Sequence, residues 1–149
     1  PQRFWIRTLM TLIADTGAIY ACYDRSDAHH DSAKQFLSTY NSKPLVPALV
    51  LAELDHLVKV RLGEKARATV IQDVLDTMSV AAFNHEIARS AAEIASTYSD
   101  LGLGLTDATL IAHALEYRTI ELFTVDQRHF RTVRPQWGGN SFQLLPFDA

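Results

Sequence analysis

Short apolar runs alternate with longer stretches of helical spacing along this chain. Residues 11–16 (TLIADT) form a compact apolar run closed by Gly17, which predicts a buried strand with a helix starting near Gly17 or Ala18. Over residues 28–40, Ala33, Phe36, Leu37 and Tyr40 recur at helical spacing. Pro44 and Pro47 bracket Leu45 and Val46, so the strand there is brief. Residues 48–62 predict a strongly apolar helix ended by Gly63, and residues 64–78 a second helix. Residues 79–83 read as a short strand. Asn84 is a cap for the helix that carries Ile87, Ala91, Ile94, Ala95 and Tyr98 on one face. A glycine-containing loop at 101–105 leads to Thr106, the predicted cap of a helix running to Tyr117, and strands follow at 120–125 and 142–145.

Strands that are short and apolar, each followed by helix, predict an α/β fold. The expected arrangement is three layers, α/β/α, around a central, mostly parallel sheet of four to five short strands. The length of 149 residues, with 48% hydrophobic and 21% charged residues, fits one domain, and neither repeat nor linker divides it. Residues 1–9 lack Met, carry Arg3 and Arg7, and lack the apolar stretch of a signal peptide. They read as an N-terminal extension, left by cloning or by a longer reading frame, ahead of a single domain at 10–149. Cys22 is the one cysteine, so no intrachain disulfide can form and a reducing, cytoplasmic setting is expected. No apolar run reaches the ~18–20 residues of a membrane span.

In parallel sheets of this kind, ligands gather beyond the carboxyl ends of the strands. Asp15 follows the first predicted strand and Asp126 a later one, while Asp107 stands in the first turn of a helix. Glu53 lies inside an apolar helix, with Leu49, Val50 and Leu57 at its i−4, i−3 and i+4 positions. A carboxylate on such a face costs several kcal/mol to desolvate if unpaired, so a compensating partner is expected. Each acid also has a purely structural reading. Asp107 suits a helix dipole, Asp15 and Asp126 suit turns, and Glu53 suits an ion pair with Arg61. Taken together, four carboxylates on one rim repel one another unless a cation joins them. Mg²⁺ or Mn²⁺, hard ions with oxygen ligands, are the natural choice, and they serve phosphate-ester hydrolysis.

Four segments carry a family resemblance: LIADTGAIYA (12–21), PALVLAELDHLV (47–58), LGLTDATLIAHA (103–114) and LFTVDQRHF (122–130). With an acid in each, the chain resembles a PIN domain of the VapC toxin ribonuclease type. The resemblance implies that Asp15, Glu53, Asp107 and Asp126 are the catalytic acids, with Asp15, Asp107 and Asp126 holding Mg²⁺ or Mn²⁺ and Glu53 positioning a ligand or the attacking water. It implies an endoribonuclease cutting structured RNA of the tRNA or rRNA class, leaving 5′-phosphate and 3′-hydroxyl ends and so inhibiting translation or growth. It further implies a homodimer and a cognate VapB-type antitoxin. Thr16 and Thr124 match hydroxyl positions that accompany the acids, and each equally suits a strand-end hydrogen-bonding role.

Other residues invite weaker readings. His29, His30 and Asp31 look like a metal cluster, but adjacent helical residues do not share a face. His56 and His113 read as hydrogen-bonded packing residues, and His129 as a rim residue. Cys22 reads as a small buried side chain. Gly102 and Gly104 form no known phosphate-loop pattern and shape the turn before Asp107. Arg128, Arg131 and Arg134 form a spaced basic run whose sharper reading is phosphate contact, Arg128 first. An alternative function on the same fold is a non-catalytic RNA- or partner-binding module. An aspartyl phosphotransferase built on Asp15 is disfavoured, because Gly17 stands where that pattern needs a second Asp.

The charge balance sharpens this picture. The chain has 14 Lys+Arg against 17 Asp+Glu, a net −3, which argues against holding nucleic acid by bulk charge. Without Arg3 and Arg7 the basic count falls to 12, giving −5 from Met10 onward. Setting aside the four candidate acids leaves 12 basic residues against 13 acidic, close to neutral. The acidity is therefore concentrated, which suits cutting RNA through a cation.

Overall fold

A computed structural model describes residues 10–149; the expectation for residues 1–9 falls outside them. Five strands form one parallel sheet in the order β3-β2-β1-β4-β5. They are β1 (Ile13–Ala14), β2 (Leu45–Pro47), β3 (Ser79–Ala81), β4 (Glu121–Phe123) and β5 (Gln143–Leu145). Ile13 is in register with Leu45 on one side and Leu122 on the other, and Leu122 with Leu144 beyond. The central strands are largely apolar because both faces are covered: Leu12, Ile13, Ala14, Leu122 and Phe123 are fully buried, and Glu121 at the start of β4 is the buried exception.

The helices are α1 (Thr16–Ala21), α2 (His30–Thr39), α3 (Ala48–Leu62), α4 (Glu64–Thr77), α5 (His85–Thr97), α6 (Leu105–Glu116) and α7 (Gln127–Phe130). Helix α3 buries Val50, Leu54 and Val58, a stripe at i, i+4, i+8 that packs on α1 and α4. Helix α5 buries Ile87, Ala91 and Ile94, and the Asn84 side chain accepts the Ile87 N–H at 2.9 Å, as its sequence predicts. Helix α6 packs against α5 and is buried continuously from Ala108 to Ala114.

Three starts differ from expectation. Helix α2 begins at His30, because the Asp27 carboxylate accepts the His29 N–H at 2.8 Å and turns the chain first. Helix α6 begins at Leu105 with Gly104 in the cap position and no side-chain cap, so Thr106 lies in the first turn and not ahead of it. Helix α7 is absent from the predicted elements. It forms because Asp126 caps it, accepting the His129 N–H at 3.0 Å.

The sheet order has one functional consequence. From β1 the chain moves outward to β2 and β3, then returns to place β4 on the other side of β1. The crevice of a doubly wound sheet opens at such a reversal, here beyond the carboxyl ends of β1 and β4. Asp15 directly follows β1, and Asp126 stands three residues beyond the last residue of β4.

Candidate metal centre

Asp15 leaves β1 with extended backbone, φ −97° and ψ 157°, and caps α1. Its own N–H is fixed by the Phe123 carbonyl at 2.8 Å, so strand pairing positions the residue. One carboxylate oxygen, Oδ1, accepts the Thr16 N–H at 2.8 Å, and Oδ2 accepts the Thr124 hydroxyl at 2.9 Å. The side chain is 6% exposed. Burial pushes its pKa up to about 7, with the charges of Asp107 and Asp126 adding to the rise and the Thr124 and Thr16 hydrogen bonds opposing it.

Thr124 is fully buried and joins two acids. Its hydroxyl donates to Asp15 and accepts the Asp126 N–H at 3.0 Å. Asp107 stands half-buried in the first turn of α6, delivered by a turn in which Gly102 takes φ +72°, a left-handed conformation suited to glycine. Burial raises the Asp107 pKa, Asp126 and Glu53 raise it further, and His129 lowers it.

Glu53 corrects an expectation. The apolar residues of α3 turn inward at Val50, Leu54 and Val58, while Glu53 is exposed and makes no ion pair among the described residues. No burial penalty needs compensation there. Its charge still raises the Asp107 pKa, the smallest of the four causes of that shift.

His129 contributes more than a rim position. Its Nδ1 lies 2.7 Å from Asp126 Oδ2, and its Nε2 lies 3.2 Å from the Leu101 carbonyl oxygen. The hydrogen bond to Asp126 raises its pKa. Asp107, Asp126 and His129 each offer a candidate ligand atom within 4.8 Å of the others. Asp15 lies outside that tight trio but is coupled to Asp107 and Asp126 by charge. The sequence signal for His129 was its i+3 spacing from Asp126, which returns a side chain to a helix-capping carboxylate.

The donor set fits a hard divalent cation. The pKa values of Asp15 and Asp107 are raised by burial and by neighbouring carboxylates, a penalty on the charged forms that a cation would offset. The Thr16 hydroxyl is buried beside Asp15 and has no hydrogen-bond partner. A buried hydroxyl of that kind suits an ordered water or ion.

The remaining candidates separate cleanly. Arg128 is exposed on α7, whereas Arg131 is held by Asp148 through bonds of 2.7 and 2.8 Å. His30 and His29 do not form a metal cluster: His30 Nδ1 donates to the Ala21 carbonyl at 2.7 Å, and the His29 ring packs edge-on against Phe147. His113 is buried and bonded to Glu116, but His56 is exposed, contrary to expectation. The Cys22 thiol is half-buried and pushed up to about 11 by burial, so it is a poor nucleophile. No helix among the described residues is long and apolar enough to cross a membrane.

Comparison with known proteins identifies the fold and the family. The PIN domain family model matches residues 12–135. Ribonuclease VapC26 of Mycobacterium tuberculosis is 32% identical over 136 residues, covering 91% of this chain and all of that protein. The crystal structure of VapC20 from the same organism, a sarcin-ricin loop cleaving toxin, superposes with a TM-score of 0.73 at 19% identity, over 78% of this chain and 91% of that one. A toxin–antitoxin complex from Klebsiella pneumoniae gives a TM-score of 0.63 at 22% identity, over 83% and 92%. With the family model covering all four acids and a VapC relative aligned along nearly the whole chain, this protein belongs to the PIN-domain family, in its VapC group.

Proposed function

We propose that this chain is a Mg²⁺- or Mn²⁺-dependent endoribonuclease, the toxin of a VapBC-type pair, which hydrolyses RNA phosphodiester bonds and so blocks translation or growth. The observation that supports the reading is that Asp15 follows β1 and Asp126 follows β4, with Asp107 and Asp126 offering ligand atoms within 4.8 Å of each other and both their charges felt by buried Asp15. A site meant only to bind RNA gains nothing from carboxylates facing phosphates.

Asp15, Asp107 and Asp126 would hold the ion. When bound, the cation supplies Lewis acidity, activating a water and offsetting negative charge on the phosphoryl group. The protein's own groups do the positioning. Thr124 fixes one oxygen of Asp15 and the Thr16 N–H holds the other, so the carboxylate is oriented before any ion binds. Glu53, exposed on α3, would position a ligand or the attacking water. Arg128 meets an RNA phosphate and supplies the local positive charge that the whole chain lacks.

The antitoxin partner is inferred from relatives of this fold that form toxin–antitoxin complexes, and the homodimer from the family resemblance. The test is cleavage of structured tRNA and rRNA by purified protein with Mg²⁺, with Mn²⁺ or with excess chelator. Metal-dependent cuts with 5′-phosphate ends, lost in Asp15→Asn and Asp107→Asn while the fold persists, are expected. Equal cleavage in chelator would refute the metal role, and RNA bound but left uncut would favour a binding module.

A further inference from the structure

His129 stands where two acid-bearing segments meet. Asp126 leaves β4 and caps α7, whereas Asp107 is delivered by the turn Ser99–Leu101, Gly102 and the start of α6. These segments are far apart in sequence. The His129 ring links them: Nδ1 donates to Asp126 Oδ2 at 2.7 Å, and Nε2 reaches the Leu101 carbonyl at 3.2 Å. The ring is mostly enclosed, with 20% of its side-chain surface exposed.

Proximity to Asp107 and Asp126 makes His129 look like a ligand. Its hydrogen bonds argue otherwise. An imidazole binds a metal through a ring nitrogen that carries no proton. Both ring nitrogens of His129 are already directed at acceptors, one a carboxylate and one a carbonyl. Asp126 is constrained in turn: Oδ1 accepts the His129 N–H and Oδ2 the ring, so a single residue grips both oxygens. Each oxygen keeps a further lone pair, and the plane of the carboxylate is fixed.

We propose that His129 is a positioning residue that sets the Asp126 carboxylate for the cation and ties it to the turn delivering Asp107. This role rests on the metal-dependent reading above. Outer hydrogen-bond partners of metal ligands typically carry ~10–100-fold in affinity, and His129 occupies that place for Asp126.

The two bonds can be separated by substitution. An Asn side chain places an N–H where His has Nδ1, preserving the bond to Asp126 and dropping the one to Leu101. A Gln places its N–H near the Nε2 position, preserving Leu101 and dropping Asp126. The experiment is a calorimetric titration of Mn²⁺ into wild type and into His129→Ala, His129→Asn and His129→Gln, with the metal-free melting temperature of each measured alongside.

Expected is a loss of roughly 10–100-fold in Mn²⁺ affinity for Ala and Gln, with Asn recovering most of it. A merely structural role would not let Asn recover affinity while Gln fails at a matched melting temperature. Where the Ala variant does not fold, the comparison of Asn with Gln decides alone. Wild-type affinity in His129→Ala or His129→Gln, or an Asn variant as weak as Gln, overturns the role and leaves the metal centre standing. A wild type that binds no Mn²⁺ overturns the metal centre itself, and the role with it.

Discussion

The Thr124 hydroxyl donates to Asp15 Oδ2 at 2.9 Å, across the boundary between two parallel strands and 109 positions away in sequence. The Thr124 hydroxyl oxygen also accepts the Asp126 N–H at 3.0 Å, so one buried side chain sets two acids. Thr124→Val keeps the shape and removes the hydroxyl, leaving a buried carboxylate oxygen and a backbone N–H without that partner. Expected is a stability loss of about 1–3 kcal/mol, read from the denaturant midpoint, together with reduced RNA cleavage. Thr124→Ser should restore both. A Val variant with wild-type stability would show that water replaces the hydroxyl without cost.

The metal-free protein should lose stability as pH rises. Asp15 is pushed up to about 7 by burial from an ordinary 3.8, so between those values the folded state binds a proton that the unfolded state has lost. Stability from this group is full below about pH 4 and declines through pH 7. Asp107 and His129 are both shifted upward and act in the same direction. Asp24, Glu64 and Asp148 are shifted downward, so their support fails only below the ordinary carboxylate range, outside this window. Melting temperature in chelator is therefore expected to fall from pH 5 to pH 8. Mg²⁺ should flatten the curve by favouring the ionised carboxylates. Asp15→Asn should also flatten it and, at pH 8 in chelator, match or exceed wild-type stability while cleavage is lost. A flat wild-type profile in chelator would contradict the burial argument.

The sequence disclosed more of the sheet and the acids than of the connections among them. Strands β1 and β4 were legible because a fully buried parallel strand is apolar at successive positions and ends at its first polar residue, which here announced Asp15 and, after Thr124 and Val125, Asp126. The Asn84 cap was legible because its partner lies three residues away. Glu53 was misjudged, since helical spacing identifies an apolar face without fixing its edges, and the buried stripe runs one residue to the side, through Leu54. The Thr124 bridge and the contact of His129 with Leu101 join residues 109 and 28 positions apart, which no local pattern encodes. Helix α7 went unread because four residues are too few to show a period.

Two arginines of one basic run should behave differently. Arg131 is held by Asp148 through paired bonds at 2.7 and 2.8 Å, and Asp148 in turn accepts the Leu144 N–H, so the pair fastens α7 to the end of β5. Arg128 is exposed on the same short helix, two residues from Asp126. Arg128→Gln should weaken binding of single-stranded RNA and lower the slope of log affinity against log salt by about 0.7, the share of one phosphate contact. Arg131→Gln should leave that slope unchanged and instead loosen the C-terminal segment. Binding by cleavage-deficient Asp15→Asn protein over a salt series measures both. Equal slopes for the two variants would remove Arg128 from the RNA path.

Gly17 packs α1 closely against the segment that carries Asp126. A Cβ at this position would lie 3.0 Å from Val125 Cγ2, closer than ordinary contact. Alanine favours a helix over glycine by roughly 0.5–1 kcal/mol, so the substitution has a gain to set against the crowding. Val125 is β-branched and stiff about χ1, which leaves little freedom to swing the methyl away. The strain passes instead into the backbone of Val125 and Asp126, moving a carboxylate that depends on close positioning. Gly17→Ala is therefore expected to change melting temperature little while weakening Mn²⁺ binding and cleavage together. Adding Val125→Ala removes the clashing methyl and should restore Mn²⁺ affinity in the double variant, a coupling that a double-mutant cycle quantifies. If Gly17→Ala cleaves RNA like wild type, or if Val125→Ala restores nothing, the close packing of α1 on this segment does not set the position of Asp126.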